Sequence, residues 1–313
     1  MVEYDKVVII TQKTPLDELV EYYNTKEQAK FYIEHMGGSF ADYINFHKLY
    51  YEALKEIKQI IPSNIKTQIV DKSFLPSFLF NTTDLVIVLG RDGLVINTSK
   101  YLEDQPLVGI NPDPQTIEGI LLKFSISKFR TYIKDILDDK MIQSKISLAQ
   151  ADLNNQQSII GVNDIFIGHQ SHKSARYRIS FDGNEENHSS SGIVVSTGIG
   201  STGWFKSIVS SANKLISQFK DLDLEDIREE EYAYPWNMDT LVFCVREPWT
   251  SINTGNNIIF GYLQIDQKLK IESMMSEGGV IFTDGIEHDN LSFNSGIVAK
   301  IGLSRKKVNL IGY

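Results

Sequence analysis

The first half of the chain alternates short apolar runs with longer segments of helical periodicity. The apolar run Val7 to Ile10 predicts a strand, and the nearly unbroken run Asp84 to Leu89 predicts a buried one. Ala41 to Ile61 has the spacing of an amphipathic helix that a proline ends. A helix from about Val95 to Leu102 and a strand from Leu107 to Ile110 follow. This alternation indicates a parallel sheet that binds ligands at the carboxyl ends of its strands.

From about Lys145 the pattern changes to short strand-like runs separated by Gly, Asn and Asp. One segment, Gly203 to Phe219, has apolar residues at helical spacing and predicts a helix in an otherwise β-rich half. The predicted strands are Ile159 to Gly168, Arg176 to Phe181, Gly192 to Ser196, Thr240 to Val245, Leu269 to Ser273 and Gly279 to Phe282.

We therefore expect an α/β domain with a parallel sheet over residues 1–142 and a β-rich domain over residues 143–313. The last strands, about 296–313, are candidates for packing back onto the first domain. With 313 residues, 42% of them hydrophobic, the chain is long enough to bury the cores that two domains need.

The net charge of -9 argues against general binding to nucleic acid or to an anionic membrane, because both are polyanions. A single nucleotide is not excluded, since local donors can hold its phosphates. The charged run 221–231 is expected to be solvated surface. No stretch approaches the length of an apolar membrane span, so no membrane partner is expected.

Cys244 is the single cysteine, which excludes an intramolecular disulfide and a Cys-based zinc site. The first residues include Glu3 and Asp5, unlike a signal peptide or an Arg-rich transit peptide. Both features favour a reducing compartment, and we expect a cytoplasmic protein.

A Gly-rich segment, Gly90-Arg91-Asp92-Gly93, follows the predicted buried strand and opens a helix. Glycine lets the backbone approach a phosphate, and the helix presents N–H groups to an anion. Asp92 could accept the proton of an attacking hydroxyl in phosphoryl transfer. An ordinary strand-to-helix turn is the structural alternative.

A second Gly-rich segment runs from Gly192 to Trp204 and combines glycines with Ser and Thr before the predicted helix. Such a turn can offer backbone donors and hydroxyls to a nucleotide, although a plain strand-helix connection is also possible. Asn163 and Asp164 interrupt an apolar run between the two segments. An amide can bind adenine and a carboxylate can accept ribose hydroxyls, but Asn-Asp is also common in turns.

Taken together and in this order, the three segments resemble the signatures of the NAD kinase family, and the resemblance extends from about Ser39 to Ile311. Trp204 stands where the commoner bacterial enzymes have tyrosine. Further segments resemble the mitochondrial-type branch, namely Val108 to Pro114 with Glu118 and Gly119, Val162 to Gly168, Ser174 to Tyr177, and Ser190 to Gly192.

The resemblance implies the NAD kinase/diacylglycerol kinase-like fold and transfer of the γ-phosphoryl group of ATP to the adenosine ribose 2′-hydroxyl of NAD. It implies Asp92 as the catalytic carboxylate and Gly90, Arg91 and Gly93 as the phosphate and ATP-binding loop. Mg²⁺ would accompany ATP, bound through its phosphates, and a homodimer or higher homo-oligomer is implied. The implied NAD-binding residues are Asn163, Asp164, Ser191, Thr202, Gly203, Trp204 and Ser207.

The sequence departs from the family pattern in the phosphate loop. Arg91 replaces a glycine, Leu94 replaces a threonine, and Ile199 stands where a small hydroxylated residue is common. Arg91 could grip a phosphate or obstruct the loop.

These departures leave two alternatives to an active NAD kinase. One is a binding module that senses NAD or NADP without turnover, although Asp92 is retained. The other is a lipid or sugar kinase, which leaves Asn163 and Asp164 unexplained. The sequence also leaves the donor open between ATP and polyphosphate.

Overall fold

The computed structural model describes residues 4–220, 229–287 and 289–312, so most of the charged run 221–231 lies outside the described residues. The chain forms two compact units. Unit 1 comprises Met1–Ser144 and Val308–Tyr313, and unit 2 comprises Lys145–Lys307. Among the described residues, no helix combines the length and the apolarity that crossing a bilayer requires.

Unit 1 alternates strands and helices along the chain. Its elements are β1 (Lys6–Thr11), α1 (Pro15–Tyr23), α2 (Lys26–His35), α3 (Phe40–Ile60), β2 (Lys66–Asp71), a 3₁₀ helix (Lys72–Ser77), β3 (Asp84–Leu89), α4 (Asp92–Ser99), β4 (Pro106–Asn111), β5 (Phe124–Ser125) and α5 (Ile126–Leu137).

The sheet of unit 1 is parallel, in the order β2-β1-β3-β4. Strand β3 is central and all six of its residues are buried, as its apolar sequence predicts. Residues 309 and 310 of the last strand also pair in parallel with β4. Tyr50 and Ile57 of α3 and Phe129 of α5 pack with alternate strand residues into one buried cluster. Helix α3 and the strands β1, β3 and β4 confirm the sequence predictions.

Helix α4 corrects the prediction of a helix over Val95 to Leu102, since it covers Asp92–Ser99. It begins early because the carbonyl oxygen of Arg91 accepts the N–H groups of Leu94 and Val95. The catalytic candidate Asp92 therefore occupies the first helical turn. The last predicted residues form turns instead of helix.

Unit 2 consists mostly of strands. Its elements are β6 (Ile142–Leu153), which begins at the unit boundary, β7 (Ser158–Gly161), β8 (Asp164–His169), β9 (Ala175–Phe181), β10 (Asn184–Ser190), β11 (Ile193–Ser196), a 3₁₀ turn (Gly200–Thr202), α6 (Trp204–Lys220), α7 (Glu229–Tyr232), β12 (Thr240–Val245), β13 (Phe260–Gln264), β14 (Leu269–Ser273), β15 (Gly279–Thr283), β16 (Leu291–Ser292) and β17 (Val298–Gly312), whose end belongs to unit 1.

The strands of unit 2 are antiparallel and share one large apolar core. One sheet has the order β13-β12-β11-β8-β15-β16. The other contains β10, β9, β14 and the first part of β17, with β6 paired to β17 and β7 paired to β6. Ile167 of β8 and Tyr177 of β9 are among the fully buried residues between the two sheets. The predicted β-rich second half is confirmed.

Helix α6 packs on the opposite face of the first of these sheets. Trp204 and Ile208 contact a small buried cluster that contains Phe166 and Val194. The helix confirms its prediction from sequence, although its apolar stripe is covered only at the first turns. Phe205 is buried, whereas Phe219 is 87% exposed.

The predicted single strand Ile159 to Gly168 is wrong, because the structure divides it into β7 and β8. The break lies at Val162 and Asn163, whose N–H groups donate to the carboxylate of Asp284 instead of to a neighbouring strand. The side chain of Asp284, 122 residues from Val162 and 121 from Asn163 in the sequence, thus replaces a hydrogen-bond partner on a neighbouring strand.

Candidate functional site

The phosphate-loop candidate, Gly90 to Gly93, lies where β3 ends and α4 begins, at the carboxyl edge of the unit 1 sheet. The Gly90 N–H donates to the carbonyl oxygen of Ile110, which ties the loop to β4. A Cβ built on Gly93 would meet no atom within 4 Å. The backbone here is open to a ligand, as close approach by a phosphate requires.

Asp92 projects from the first turn of α4 toward the segment that follows β4. Its two carboxylate oxygens accept the N–H groups of Ile120 at 2.9 Å and Leu121 at 3.0 Å. One contact on each oxygen fixes the orientation of the carboxylate, and each oxygen keeps a further lone pair. The side chain is thus held in place and can still accept a substrate hydroxyl.

A buried tyrosine anchors the strand that carries the loop. Tyr50 of α3 donates its hydroxyl to the Leu89 carbonyl oxygen at 3.1 Å and accepts the Gln12 N–H at 3.0 Å. Burial raises the pKa of Tyr50 well above its usual range, so its hydroxyl stays protonated as a donor. Helix α3 is therefore coupled to the loop through a neutral hydrogen bond.

Arg91 is exposed, and its backbone has φ -112 and ψ 167, an extended conformation open to any residue. Its guanidinium carbon lies 5.7 Å from the centre of the Phe46 ring. Leu94 is 3% exposed and packs against Gly90, so it serves the core of unit 1. The two departures from the family pattern therefore introduce no backbone strain.

In unit 2, Asn163 and Asp164 lie where β7 gives way to β8. The Asp284 carboxylate accepts the N–H groups of Asn163 at 2.6 Å and Asp164 at 3.4 Å. Asp164 is 6% exposed. The side-chain oxygen of Asn163 is buried and has no hydrogen-bond partner among the described residues. A buried acceptor of this kind is suited to a ligand that brings its own donor.

The Gly-rich turn after β11 is fastened to Asn163. The Thr197 N–H donates to the Asn163 carbonyl oxygen at 2.9 Å, and the Thr197 hydroxyl donates to the Val162 carbonyl oxygen at 2.5 Å. A Cβ on Gly200 would overlap the Asn163 carbonyl oxygen, and a Cβ on Gly198 would overlap the backbone of Pro235. These glycines are required by close packing of the chain on itself.

The remaining candidates on this turn and on α6 differ in their surroundings. The Thr202 hydroxyl donates to the Ile199 carbonyl oxygen at 3.2 Å. Gly203 and Ser207 are exposed. The side chain of Ile199 is half-buried, so the departure at this position changes a surface more than the core.

Ser191 and Trp204 line one cavity of about 640 Å³ on the α6 side of the sheet in unit 2. The Trp204 ring stacks on Phe166 with a centroid distance of 5.5 Å and an angle of 17°. The guanidinium carbon of Arg246 lies 5.3 Å from the centre of the Trp204 ring. Lys173 also lines the cavity, which thus combines an aromatic floor with cations.

Within unit 2, Asn163 is therefore hydrogen-bonded to the Gly-rich turn, and Ser191 and Trp204 line the same cavity. Sequence reasoning missed Asp284 and Arg246 in unit 2 and Phe46 beside Arg91 in unit 1. Asp284 precedes a glycine between two strands, a pattern that signals only a hairpin turn. Its contact with Asn163 and the contact of Arg246 with Trp204 join distant parts of the chain and leave no local sequence signal.

No model of a known protein family matches the chain. Among curated proteins, the rat mitochondrial NAD kinase 2 is 24% identical over 64% of this chain and 59% of its own length. The NAD kinase of Clostridium tetani is 31% identical over 48% of this chain and 58% of its own length. Less than two thirds of either relative is aligned. The human mitochondrial NAD kinase 2 is 22% identical over 96% of this chain and 82% of its own.

Two solved structures have the same fold over nearly the whole chain. Yeast NADH kinase, complexed with NADH, matches with a TM-score of 0.57 and 15% identity over 98% of this chain and 83% of its own. An NAD kinase from Archaeoglobus fulgidus, in complex with ATP, matches with a TM-score of 0.55 and 15% identity over 97% of this chain and 92% of its own. At these identities the structures establish the fold.

Proposed function

We propose that the chain is an NAD kinase, which transfers the γ-phosphoryl group of ATP to the adenosine ribose 2′-hydroxyl of NAD, giving NADP; its similarity to the curated NAD kinases supports this proposal. The observation that carries this proposal is the Asp92 carboxylate, oriented by two N–H groups at the carboxyl edge of a parallel sheet. Ligands of such sheets bind at this edge.

Asp92 would act on the attacking hydroxyl. The carboxylate accepts the 2′-hydroxyl proton as the oxygen approaches phosphorus, and its fixed orientation keeps the nucleophile aligned with the leaving group. Phosphoryl transfer passes through a loose transition state, so positioning and charge stabilisation supply most of the rate enhancement. Arg91 and the open backbone at Gly93 would bind the donor phosphates.

The proposal assigns recognition of NAD to unit 2. The buried side-chain oxygen of Asn163 can accept the exocyclic amino group of adenine, and Asp164 can accept ribose hydroxyls. Trp204 is a proposed contact in the cavity that Ser191 and Arg246 also line. Thr202, Gly203 and Ser207 are proposed contacts on the same turn and helix.

Mg²⁺ enters as the counter-ion of the ATP phosphates, whose negative charge it reduces. Within the part of the chain that the structure describes, no group of three or more His, Cys, Asp or Glu side chains could hold a metal ion. A cation carried by phosphates fits these residues, and the proposal gives it no protein cage. We also propose that the protein is cytoplasmic and that it forms a homodimer or a higher homo-oligomer.

The competing function is a sensor that binds NAD or NADP without turnover. The observation in its favour is the exposed Arg91 side chain, which lines a cavity beside the loop and could keep ATP away. Retention of Asp92 at the strand end favours the kinase over the sensor.

The test is to incubate the pure protein with MgATP and either NAD or NADH and to measure the phosphorylated product with enzymes specific for NADP or NADPH. We expect NADP to accumulate with NAD as acceptor. Absence of product with both acceptors, while calorimetry shows NAD binding, would support the sensor and contradict the proposed activity.

A further inference from the structure

Unit 1 contains a cavity of about 630 Å³ beside the Gly90 to Gly93 loop. Its apolar wall comes from Tyr43, Phe46 and Leu49 of α3 together with Pro15. We propose that this cavity binds the purine base of the nucleoside triphosphate donor, with Phe46 as the stacking surface. The inference rests on the proposed function and names the donor for the same site.

The wall suits a flat heteroaromatic ring better than a chain of phosphates. Tyr43 and Phe46 are only partly buried, and Leu49 is 41% exposed, so their apolar surfaces remain accessible. Aromatic side chains bind nucleotide bases by stacking, which gives little advantage to inorganic polyphosphate. Polar side chains at the rim, such as Asn45 and Gln115, can reach the edge of a base.

The charges in the cavity indicate how the nucleotide is oriented there. Asp42 is exposed and lines the cavity, and a carboxylate repels phosphate but accepts an amino group. Asp113 is 8% exposed and is held by the Gln115 N–H and the Thr116 hydroxyl. Arg91, in the Gly90 to Gly93 loop, is the cationic residue that lines the cavity. The base therefore lies against Phe46 and the phosphates lie toward the loop.

Donor binding requires the Arg91 side chain to change partner. Its guanidinium carbon is 5.7 Å from the Phe46 ring centre, whereas a base between them needs about 7 Å, twice the contact distance of stacked atoms. A guanidinium gains more from charge-assisted hydrogen bonds to phosphate than from an exposed ring. Arg91 thus moves to the phosphates and leaves the ring face to the base.

The inference predicts a donor preference for ATP over inorganic tripolyphosphate, and Phe46→Leu tests it because leucine keeps apolar bulk but removes the ring. We expect the KM for MgATP to rise by about tenfold, with the KM for NAD within about twofold of the wild type. Phe46→Tyr, which retains the ring, should lose less. Phe31→Leu, at an exposed aromatic of α2 outside the cavity, is the matched control and should change neither constant.

Calorimetry without NAD provides a readout that does not depend on turnover. MgATP should bind the wild type at least about tenfold more tightly than magnesium tripolyphosphate, and Phe46→Leu should remove most of that difference. Equal affinity of the wild type for both ligands, or unchanged MgATP affinity in folded Phe46→Leu, overturns the inference. If the wild type makes no NADP, the proposed function fails, and the titration still decides whether the cavity binds a base.

Discussion

The Gly90 to Gly93 loop of unit 1 and the Gly-rich turn of unit 2 both contain glycines, but the surroundings of these glycines differ. In the loop, a Cβ on Gly93 would meet no protein atom within 4 Å. In the turn, a Cβ on Gly200 would overlap the Asn163 carbonyl oxygen. The space beside Gly93 is therefore open, whereas Gly200 allows the chain to pack closely on itself.

This difference explains how the loop can depart from the family pattern while the fold is retained. Arg91 has an extended backbone, so replacing glycine there causes no conformational strain. Leu94 packs into the unit 1 core beside Gly90. Substitutions in the loop should therefore act mainly on the donor and on turnover, whereas substitutions in the turn should act on stability.

The largest expected effect is that of Asp92→Asn on turnover. Asparagine has a similar shape but cannot accept the hydroxyl proton, so kcat should fall by about 10²–10⁴-fold while NAD affinity changes little. Steady-state kinetics and calorimetry measure the two quantities. Asp104→Asn, an exposed carboxylate ahead of β4, is the control and should behave as the wild type. A kcat near the wild-type value in Asp92→Asn would remove the catalytic assignment.

The comparison between the two glycines is tested by Gly200→Ala and Gly93→Ala. Gly200→Ala should lower the free energy of unfolding by about 1–3 kcal/mol, because the methyl group has no room. Gly93→Ala should leave it unchanged or raise it by up to about 1 kcal/mol, since alanine is favoured in a helix, and should raise the KM for ATP. Urea denaturation measures this free energy, and an equal decrease in the two variants would contradict the difference between the two glycines.

Asp164→Asn should weaken NAD binding by about 1–2 kcal/mol, because a neutral amide replaces a charged acceptor of the ribose hydroxyls. Titration calorimetry gives the affinity, and circular dichroism establishes that the variant is folded. Asp266→Asn, in an exposed turn of the same unit, serves as the control. Unchanged NAD affinity in folded Asp164→Asn would assign this buried carboxylate to the structure of unit 2 alone.

Arg91→Gly restores the common loop sequence and should have the smallest effect. If the guanidinium grips the donor phosphates, the KM for ATP rises by about tenfold at saturating NAD, equivalent to about 1.4 kcal/mol. If the side chain obstructs the loop, activity appears or increases. A gain in kcat/KM for ATP would thus reject the proposed role of Arg91 and favour the sensor.

Much of the fold could be predicted from sequence because its central elements have strong local patterns. The run Asp84–Leu89 is apolar and fully buried, and Phe40–Ile60 shows helical periodicity. Strand β2 (Lys66–Asp71) has four exposed residues at the sheet edge, so its burial pattern does not alternate. Its place depends on pairing with β1, which a local pattern does not encode.

The same distinction between local sequence patterns and long-range contacts applies to the site residues. The Gly-rich segments were recognisable because their composition is local and unusual. The pairing of Arg246 with Trp204 and of Arg91 with Phe46 depends on side chains that meet only after folding. The purine cavity could not be predicted for the same reason, since α3 and the loop that line it are separated by about thirty residues of other structure.

The most direct test of the central claim is phosphorus NMR of the reaction of the protein with NAD and MgATP. We expect a new phosphomonoester signal coupled to the 2′ proton of the adenosine ribose, with one ADP formed for each phosphomonoester, and almost no such signal with Asp92→Asn. A phosphoryl group at another position, or ATP and NAD left unchanged over hours with the wild-type protein, would contradict it.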